Sequence, residues 1–483
     1  MRIHGNLSRQ NLSSRREIVN RFIRKRTRGK TLLHWALRGI DVVAFSRRLP
    51  FADILVASCD EGSDLDLLRR EGTTVHTLEK AVGYRAKWGS DDVGRIGDMG
   101  IVQEIIRRSG KRVIILPFKN CESAEILREQ GVEVFAPRYE LMQYFDSKLN
   151  LPEILKAASI TRIPGEVIQR DFNFEELEHK YGLPLVVQVD FGSGGNGTYF
   201  VKTRKELMEI FEKKGVDKLK VSKCITGPSF NAQAVVLETD EGIKTVMTAP
   251  SFQIIGIPEI STKDSPACYG GNEYTGAWDF LGDNGKREYV KIMTALGKVM
   301  GEKGWRGIFG IDFIFSTEEQ RIYVVEINPR MNASTSFLHS LQERIGELGI
   351  MNWHLLAMAL DRPVPRMYLP TDIRGYDGSH LKLANNEFSE RCVISGCIRP
   401  GVYALSNDLL VLRSEQYWSN TLVGGEHLIT CGVPAVGTIL ESNATLLKVY
   451  SVESVLDETK KALNETAARV VRKIHQMLNL REM

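Results

Sequence analysis

Short apolar runs alternate with amphipathic stretches over residues 35–140. Ala52–Ala57, Arg112–Leu116 and Val132–Phe135 are dense in Val, Ile and Leu and read as strands. Ile101–Ser109 and Ala124–Gln130, between them, carry apolar residues at helical spacing. This alternation predicts a small α/β domain around a parallel sheet. A helix near 150–159 and a turn at Pro164-Gly165 follow. The pattern then changes between about 184 and 330. Leu185–Asp190, Thr198–Val201, Ala232–Glu238, Lys244–Thr248, Ile308–Phe315 and Arg321–Ile327 are strands joined by short turns, with helices near 203–213 and 286–302. Such spacing predicts antiparallel sheet. Residues 386–450 again read as short strands. The chain closes on an amphipathic helix with Val455, Leu463, Val470, Val471, Ile474 and Leu478 on one stripe.

A chain of 483 residues suggests about three domains. With 43% hydrophobic and 26% charged residues it resembles an average soluble protein, so a sizeable core is available. No apolar run is long enough to span a bilayer, and the N-terminus lacks an apolar signal core, so a cytoplasmic protein is expected. The seven cysteines are odd in number and scattered, with no C-x-x-C. They read as free thiols, not as a disulfide framework or zinc site. Residues 1–30 hold ten Lys or Arg and one acid, Glu17, while the rest of the chain is slightly acidic. Such an arm could meet an acidic partner, but a solvated, partly helical arm is the plainer account. No basic groove interleaved with aromatics points to nucleic acid.

Two motifs carry chemistry. The first runs from Leu185 to Val201 and contains Gly192-Ser193-Gly194-Gly195-Asn196-Gly197. Its Gly-x-Gly-x-x-Gly spacing formally matches a dinucleotide fingerprint, but that motif needs a helix after the glycines. Thr198–Val201 is β-branched and aromatic, so a strand follows and the Rossmann reading fails. A glycine-rich hairpin can instead fold over a polyphosphate and offer it backbone N–H groups. An ordinary glycine-rich turn is the plain alternative.

The second motif pairs Gly310-Ile311-Asp312-Phe313-Ile314-Phe315 with Ile322-Tyr323-Val324-Val325-Glu326-Ile327-Asn328-Pro329-Arg330. In a hairpin centred on Glu319, Asp312 faces Glu326, and Asn328 shares their side of the sheet. Gly310 lies across from Asn328 and leaves room above the sheet. Both acids interrupt apolar runs, and facing carboxylates repel unless protonated or bridged by a cation. Hard oxygen ligands of this kind suit Mg²⁺ completed by waters and substrate phosphates. Arg330 could reach the same anions as a planar fork. Ordinary surface acids and a surface arginine are the plain alternatives.

Together these hairpins, with their spacing across about 145–335, resemble the ATP-grasp superfamily. Ile225-Thr226-Gly227-Pro228-Ser229-Phe230 is similar to the D-alanine–D-alanine ligase pattern. The whole chain is most similar to the pheganomycin-type peptide ligases, with Ser395 to Leu405 as the suggestive C-terminal stretch. The resemblance implies an α/β N-terminal domain plus α+β ATP-grasp domains and a small mixed C-terminal domain. Its boundaries would be a basic arm at 1–34, a pre-ATP-grasp domain at 35–140, the ATP-grasp domain at 141–360 and the C-terminal domain at 361–483.

The cofactors implied are ATP and Mg²⁺, with Mn²⁺ as an alternative. The metal would lie on Asp312, Glu326 and Asn328. The nucleotide would lie on Lys148, Gln188, Gly192, Ser193, Gly194, Gly195, Gly197, Lys223, Ile225 and Ser229, and the candidate catalytic residues are Arg330 and Arg306. The sequence departs from the superfamily pattern at Gln188, where a second phosphate-binding lysine is usual. It departs again at Ser222 and Ser229, where acids are usual, and at Gly310, where the D-alanine ligases carry an arginine.

The turn-rich stretch from Gly256 to Asp279, including Cys268 and Asn272, reads as a substrate loop or a mobile connector. Cys268, Asn272 and His339 show no spacing for covalent catalysis, and hydrolase-elbow, zincin and P-loop motifs are absent. The expected activity is ADP-forming ligation of an amino-acid-like carboxylate to an amine through an acyl phosphate. The partners expected are small-molecule or peptide substrates, an acidic carrier protein, and a second copy of the chain. Loading of a carrier protein is the close variant; a non-catalytic nucleotide-binding protein and a kinase-like or carboxylating relative are the rivals.

Overall fold

The computed structural model describes residues 17, 19–36, 54–57, 63–70, 72–77, 96, 100–109 and 112–483. Within the last span the exceptions are 193–194, 196, 262–267, 361–362, 367–368, 389, 417–420, 431 and 441–443. Five parallel strands open the fold: β1 (Thr31–Ala36), β2 (Ile54–Ala57), β3 (Thr74–Thr77), β4 (Val113–Pro117) and β5 (Glu133–Val134), in the order β3-β2-β1-β4-β5. Every residue of β4 is buried. Leu33, Trp35, Val113 and Ile115 pack beneath Val102, Ala124 and Leu127 of two helices. Leu32, Ile114 and Leu116 face Val19 and Ile23 on the other side. A parallel sheet covered on both faces accounts for the unbroken apolar runs.

The expected boundary of the basic arm is corrected at this end. Residues 19–27 are helical, and Val19 and Ile23 sit in the core, while β1 begins at Thr31. The part of the arm from 19 to 34 is thus built into the α/β unit by apolar anchors between its charges. Residues 1–16 lie outside the described residues.

Next comes a four-stranded antiparallel sheet of β6 (Gly165–Ile168), β7 (Leu185–Gln188), β8 (Thr198–Val201) and β9 (Leu219–Lys223), in the order β6-β9-β7-β8. Helices Phe174–Tyr181 and Arg204–Lys214 cover one face, burying Leu185, Val187, Leu219 and Val221 against Phe174, Leu207 and Phe211. The second helix starts at a reciprocal Thr203–Glu206 capping box and stops at Gly215 in the left-handed conformation. The opposite face carries Gln188 of β7 and Lys220 and Ser222 of β9.

The largest sheet is built around β10 (Ser229–Thr239). Beside it run β11 (Gly242–Met247), β12 (Ser251–Ile255), β13 (Tyr269–Glu273), β14 (Gly307–Ser316) and β15 (Arg321–Asn328). The sheet continues through β16 (Ser379–Ala384), β18 (Gly401–Ser406), β19 (Leu409–Ser414), β20 (Glu426–Thr430) and β22 (Thr445–Ser451), eleven strands in all. Strands β17 (Cys392–Ile394), β21 (Ile439–Leu440) and β23 (Leu480–Glu482) form a separate three-stranded sheet.

The C-terminal segment therefore extends the central sheet through the β13–β16 pair, instead of standing apart as the expected small domain. Its last helix, Glu465–Leu478, is shorter than the predicted stripe. Asn464 caps it by accepting from the Ala467 amide, so Val455 and Leu463 are buried ahead of the helix.

The two faces of β10 differ. Phe230, Ala232, Ala234 and Val236 pack under the long helix Gly282–Glu302. The alternate residues run Ser229, Asn231, Gln233 and then Val235, Leu237. Helix Ile350–Ala359 contributes to the core over Val235 and Leu237, leaving the polar half of that face to the candidate site.

The stretch from Gly256 to Asp279 contains β13 and the start of a short helix at Ala277–Phe280, and its residues 262–267 lie outside the described residues. Gly271 there takes φ +138°, and a Cβ would lie 2.0 Å from the His380 carbonyl oxygen across the β13–β16 pair. Gly271→Ala is expected to destabilise the fold by about 2 kcal/mol or more, read as a lower midpoint in urea denaturation.

Candidate functional site

The β14–β15 hairpin places the acids through two compensating irregularities. Its turn closes one residue earlier than a hairpin centred on Glu319, since Ser316 pairs with Arg321 and Phe313 with Val324. A β-bulge at Val325 restores the register, so Asp312 pairs with Glu326 and Gly310 with Asn328. Without the bulge the partner of Asp312 would be an apolar valine.

Asp312 and Glu326 are close enough to hydrogen-bond each other. Burial first, and the Glu326 charge second, push Asp312 up to about 8. Burial would also raise Glu326, but the Lys148 ammonium, the hydrogen bond with Asp312 and the Arg330 charge outweigh it and hold Glu326 below the usual carboxylate range. Asn231, opposite Asp312 on β10, donates to Asp312 Oδ1 at 2.6 Å. Asn328 Nδ2 donates to Glu326 at 3.2 Å, and Arg330 donates to Asn328 Oδ1 at 2.6 Å. Among the described residues no three of His, Cys, Asp and Glu gather as a metal cluster. Two carboxylates and an amide with further positions open still fit a hard cation that completes its shell with waters and phosphate.

Lys148 joins the two halves of the site. It sits between helices Tyr139–Asp146 and Leu151–Ala157, almost wholly buried, with its ammonium 3.0 Å from Glu326 and 3.2 Å from the Gly192 carbonyl. Asp190 fixes this segment by accepting from Ser147 Oγ at 2.6 Å and from the Leu149 amide at 3.3 Å. Gly192 opens the glycine hairpin. Gly195 and Gly197 take φ +89° and +115°, and a Cβ on Gly197 would lie 2.6 Å from Val189, so both the conformation and the space call for glycine. Strand β8 follows, as a hairpin requires. Ser193 and Gly194 lie outside the described residues.

Three polar residues at the cluster were missed in sequence. Lys220 pairs with Gln188 across β7 and β9 and donates to Gln188 Oε1 at 3.0 Å. Burial first and Lys148 second push its ammonium down to about 8, with Glu326 acting in the other direction. The usable signal was parity, because Lys220 lies two residues before Ser222 on one face of a strand. Asn231 and Gln253 were the others; Gln253 bonds Asp312 and accepts from Ser229 Oγ at 2.6 Å.

Of the remaining expected residues, Ile225 is buried, while Lys223 is exposed at the end of β9. The space above Gly310 is taken by Asn332, whose Nδ2 would lie 2.2 Å from a Cβ there. Arg306 does not join the cluster. It donates to the Gly301 and Trp305 carbonyls at 2.9 and 2.8 Å and pairs with Glu238 at 3.1 Å, closing the end of helix Gly282–Glu302. Six residues of strand separate it from Asp312, roughly 20 Å at strand rise. Helix-end carbonyls without partners account for its position.

Residues 139–334 match the ATP-grasp domain family, and the fold is the ATP-grasp fold with a large antiparallel sheet. The carbamoyl phosphate synthase large chain of Thermoplasma acidophilum is 22% identical over 283 residues, 57% of this chain and 26% of that protein. The chain thus spans about a quarter of that relative's length. The [butirosin acyl-carrier protein]–L-glutamate ligase of Niallia circulans is 22% identical over 242 residues, 47% of this chain and 54% of the ligase. Among solved structures, the biotin carboxylase domain of the Hydrogenobacter thermophilus 2-oxoglutarate carboxylase, crystallised with MgADP, ADP and bicarbonate, superposes with a TM-score of 0.57 at 16% identity. The match covers 88% of this chain and 86% of that one.

Raising the carboxyl of Asp312 above its unfolded value stabilises the metal-free protein at low pH. That contribution is present in full below the ordinary carboxylate range and disappears as pH rises through about 8. Metal-free wild type is expected to lose thermal stability over that window more steeply than Asp312→Asn, as melting curves across pH will show.

Proposed function

We propose that the chain is an ATP- and Mg²⁺-dependent ligase that activates an amino-acid-like carboxylate as an acyl phosphate and couples it to an amine. The observation that carries this reading is the bridge made by Lys148. It ties a glycine hairpin suited to polyphosphate to a carboxylate pair suited to a divalent cation. Solved relatives of the fold contain ADP and magnesium, which supports the same assignment.

In this reading Lys148, Gln188 and the Gly192–Gly197 hairpin hold the triphosphate, and Ile225 and Ser229 line the base and ribose end. Asp312 and Glu326 would hold Mg²⁺, with Asn328 as a third oxygen donor. The ion supplies charge neutralisation at the β- and γ-phosphates. The substrate carboxylate attacks the γ-phosphorus, ADP leaves, and the amine then displaces phosphate from the acyl phosphate. Arg330, beside Asn328, stabilises charge on the transferring oxygens. Positioning and electrostatics supply most of the catalysis in such transfers.

Carrier-protein loading is the second reading. The helix at 19–27 and its flank expose Arg21, Arg24, Lys25 and Arg28, a basic face that complements an acidic carrier. The butirosin relative, by its name, uses a carrier as acceptor.

The test is phosphate release from MgATP across a matrix of amino acids and peptide acceptors, with and without acidic carrier proteins, followed by mass spectrometry. Release that needs both partners, with a product one water lighter than their sum, is expected. Nucleotide turnover without any condensed product counts against ligation. Asp312→Asn and Glu326→Gln are each expected to cut turnover by about a hundredfold or more with circular dichroism unchanged. Wild-type turnover in both variants rejects the metal assignment. Arg306→Ala is expected to cost about 1 kcal/mol in stability and to leave turnover within about twofold.

A further inference from the structure

The cluster contains two buried ammonium groups in different states. Lys148 is already neutralised by Glu326 at 3.0 Å. Among the described residues no carboxylate forms an ion pair with Lys220. Its hydrogen-bond acceptor is the neutral Oε1 of Gln188 at 3.0 Å, and it feels the Lys148 charge as well as that of Glu326. A buried cation without a paired anion is costly, so this position is built to receive negative charge.

Its placement says from where. The register sets Lys220 opposite Gln188, on the sheet face turned away from the covering helices. Gln188 Nε2 donates to Thr198 Oγ1 at 3.3 Å, on the residue that follows the glycine hairpin. Gln188 thus spends its oxygen on Lys220 and a proton on Thr198. The Lys220 ammonium keeps two of its three protons for an acceptor in the space beside the hairpin. A lysine held by neutral partners at the mouth of an anion-binding hairpin, across from a second lysine, has the geometry of one jaw of a phosphate clamp.

We propose that Lys220 grips the β- and γ-phosphates of the nucleotide from the hairpin side, with Gln188 as the residue that positions its ammonium. The assignment rests on the nucleotide reading given above and names the residue that completes it.

Calorimetric titration with MgATP, MgADP and AMP separates the cases. The proteins compared are wild type, Lys220→Met, and the exchange variant Gln188→Lys/Lys220→Gln. Lys220→Met is expected to weaken MgATP and MgADP binding by about tenfold or more while AMP binding stays within about twofold. The exchange variant, which keeps one ammonium and one amide in the pair, is expected to recover MgATP affinity to within about threefold. Wild-type MgATP affinity in Lys220→Met overturns the assignment. So does an equal loss for MgATP and AMP, which marks a lysine that only supports the sheet. If Lys220→Met fails to fold, MgATP affinity in the exchange variant more than about tenfold below wild type overturns it as well. Wild type that binds none of the three ligands overturns the nucleotide reading itself.

Discussion

Asp312 and Glu326 sit half-buried and face to face on adjacent strands, where two negative charges cannot coexist without compensation. Much of the architecture around them supplies it. Asn231 donates to one carboxylate, Lys148 pairs with the other, and Arg330 is held nearby through Asn328. Burial and, after it, the Glu326 charge still hold the Asp312 carboxyl above the usual carboxylate range. A divalent ion between the pair would relieve the repulsion, and the remaining coordination positions would fall to phosphate oxygens and water.

Because Lys148 reaches both Glu326 and the Gly192 carbonyl, the charge balance of the large sheet is coupled to the smaller one. A cation arriving at Glu326 would compete directly with that ion pair and free Lys148 toward the hairpin. The polar half of β10 extends the site toward β12 and β13, where Asn272 donates to Ser251 and Tyr269 meets His380 at 3.1 Å. The other half of that face is sealed by apolar packing.

Much of this was legible in the sequence. Asp312 and Glu326 stand out because charged residues break apolar strand runs, and strand periodicity puts Asn328 beside them. The glycine hairpin was distinguishable from a Rossmann turn because Thr198–Val201 cannot be read as a helix. Even so, the facing of Asp312 and Glu326 depends on a shifted turn and a bulge at Val325 whose offsets cancel, and no local pattern announces either. Gly310 looked like open space, which Asn332 fills from a segment beyond the hairpin.

Local chemistry alone determined the α/β opening, the antiparallel centre and the residues able to hold charge, because periodicity and turn propensity act over a few neighbours. Only the tertiary structure decided which charges meet. Arg306 was drawn to the end of a helix and Glu238, while Lys220, which reads as an ordinary strand lysine, was brought to Gln188 by the pairing of β7 with β9. Lys148 found Glu326 across 178 residues of chain. The merger of the C-terminal strands into the central sheet was decided the same way, by the close β13–β16 approach that Gly271 permits. Pairings of this kind are set by packing of whole sheets, and their free energy is absent from any short stretch of sequence.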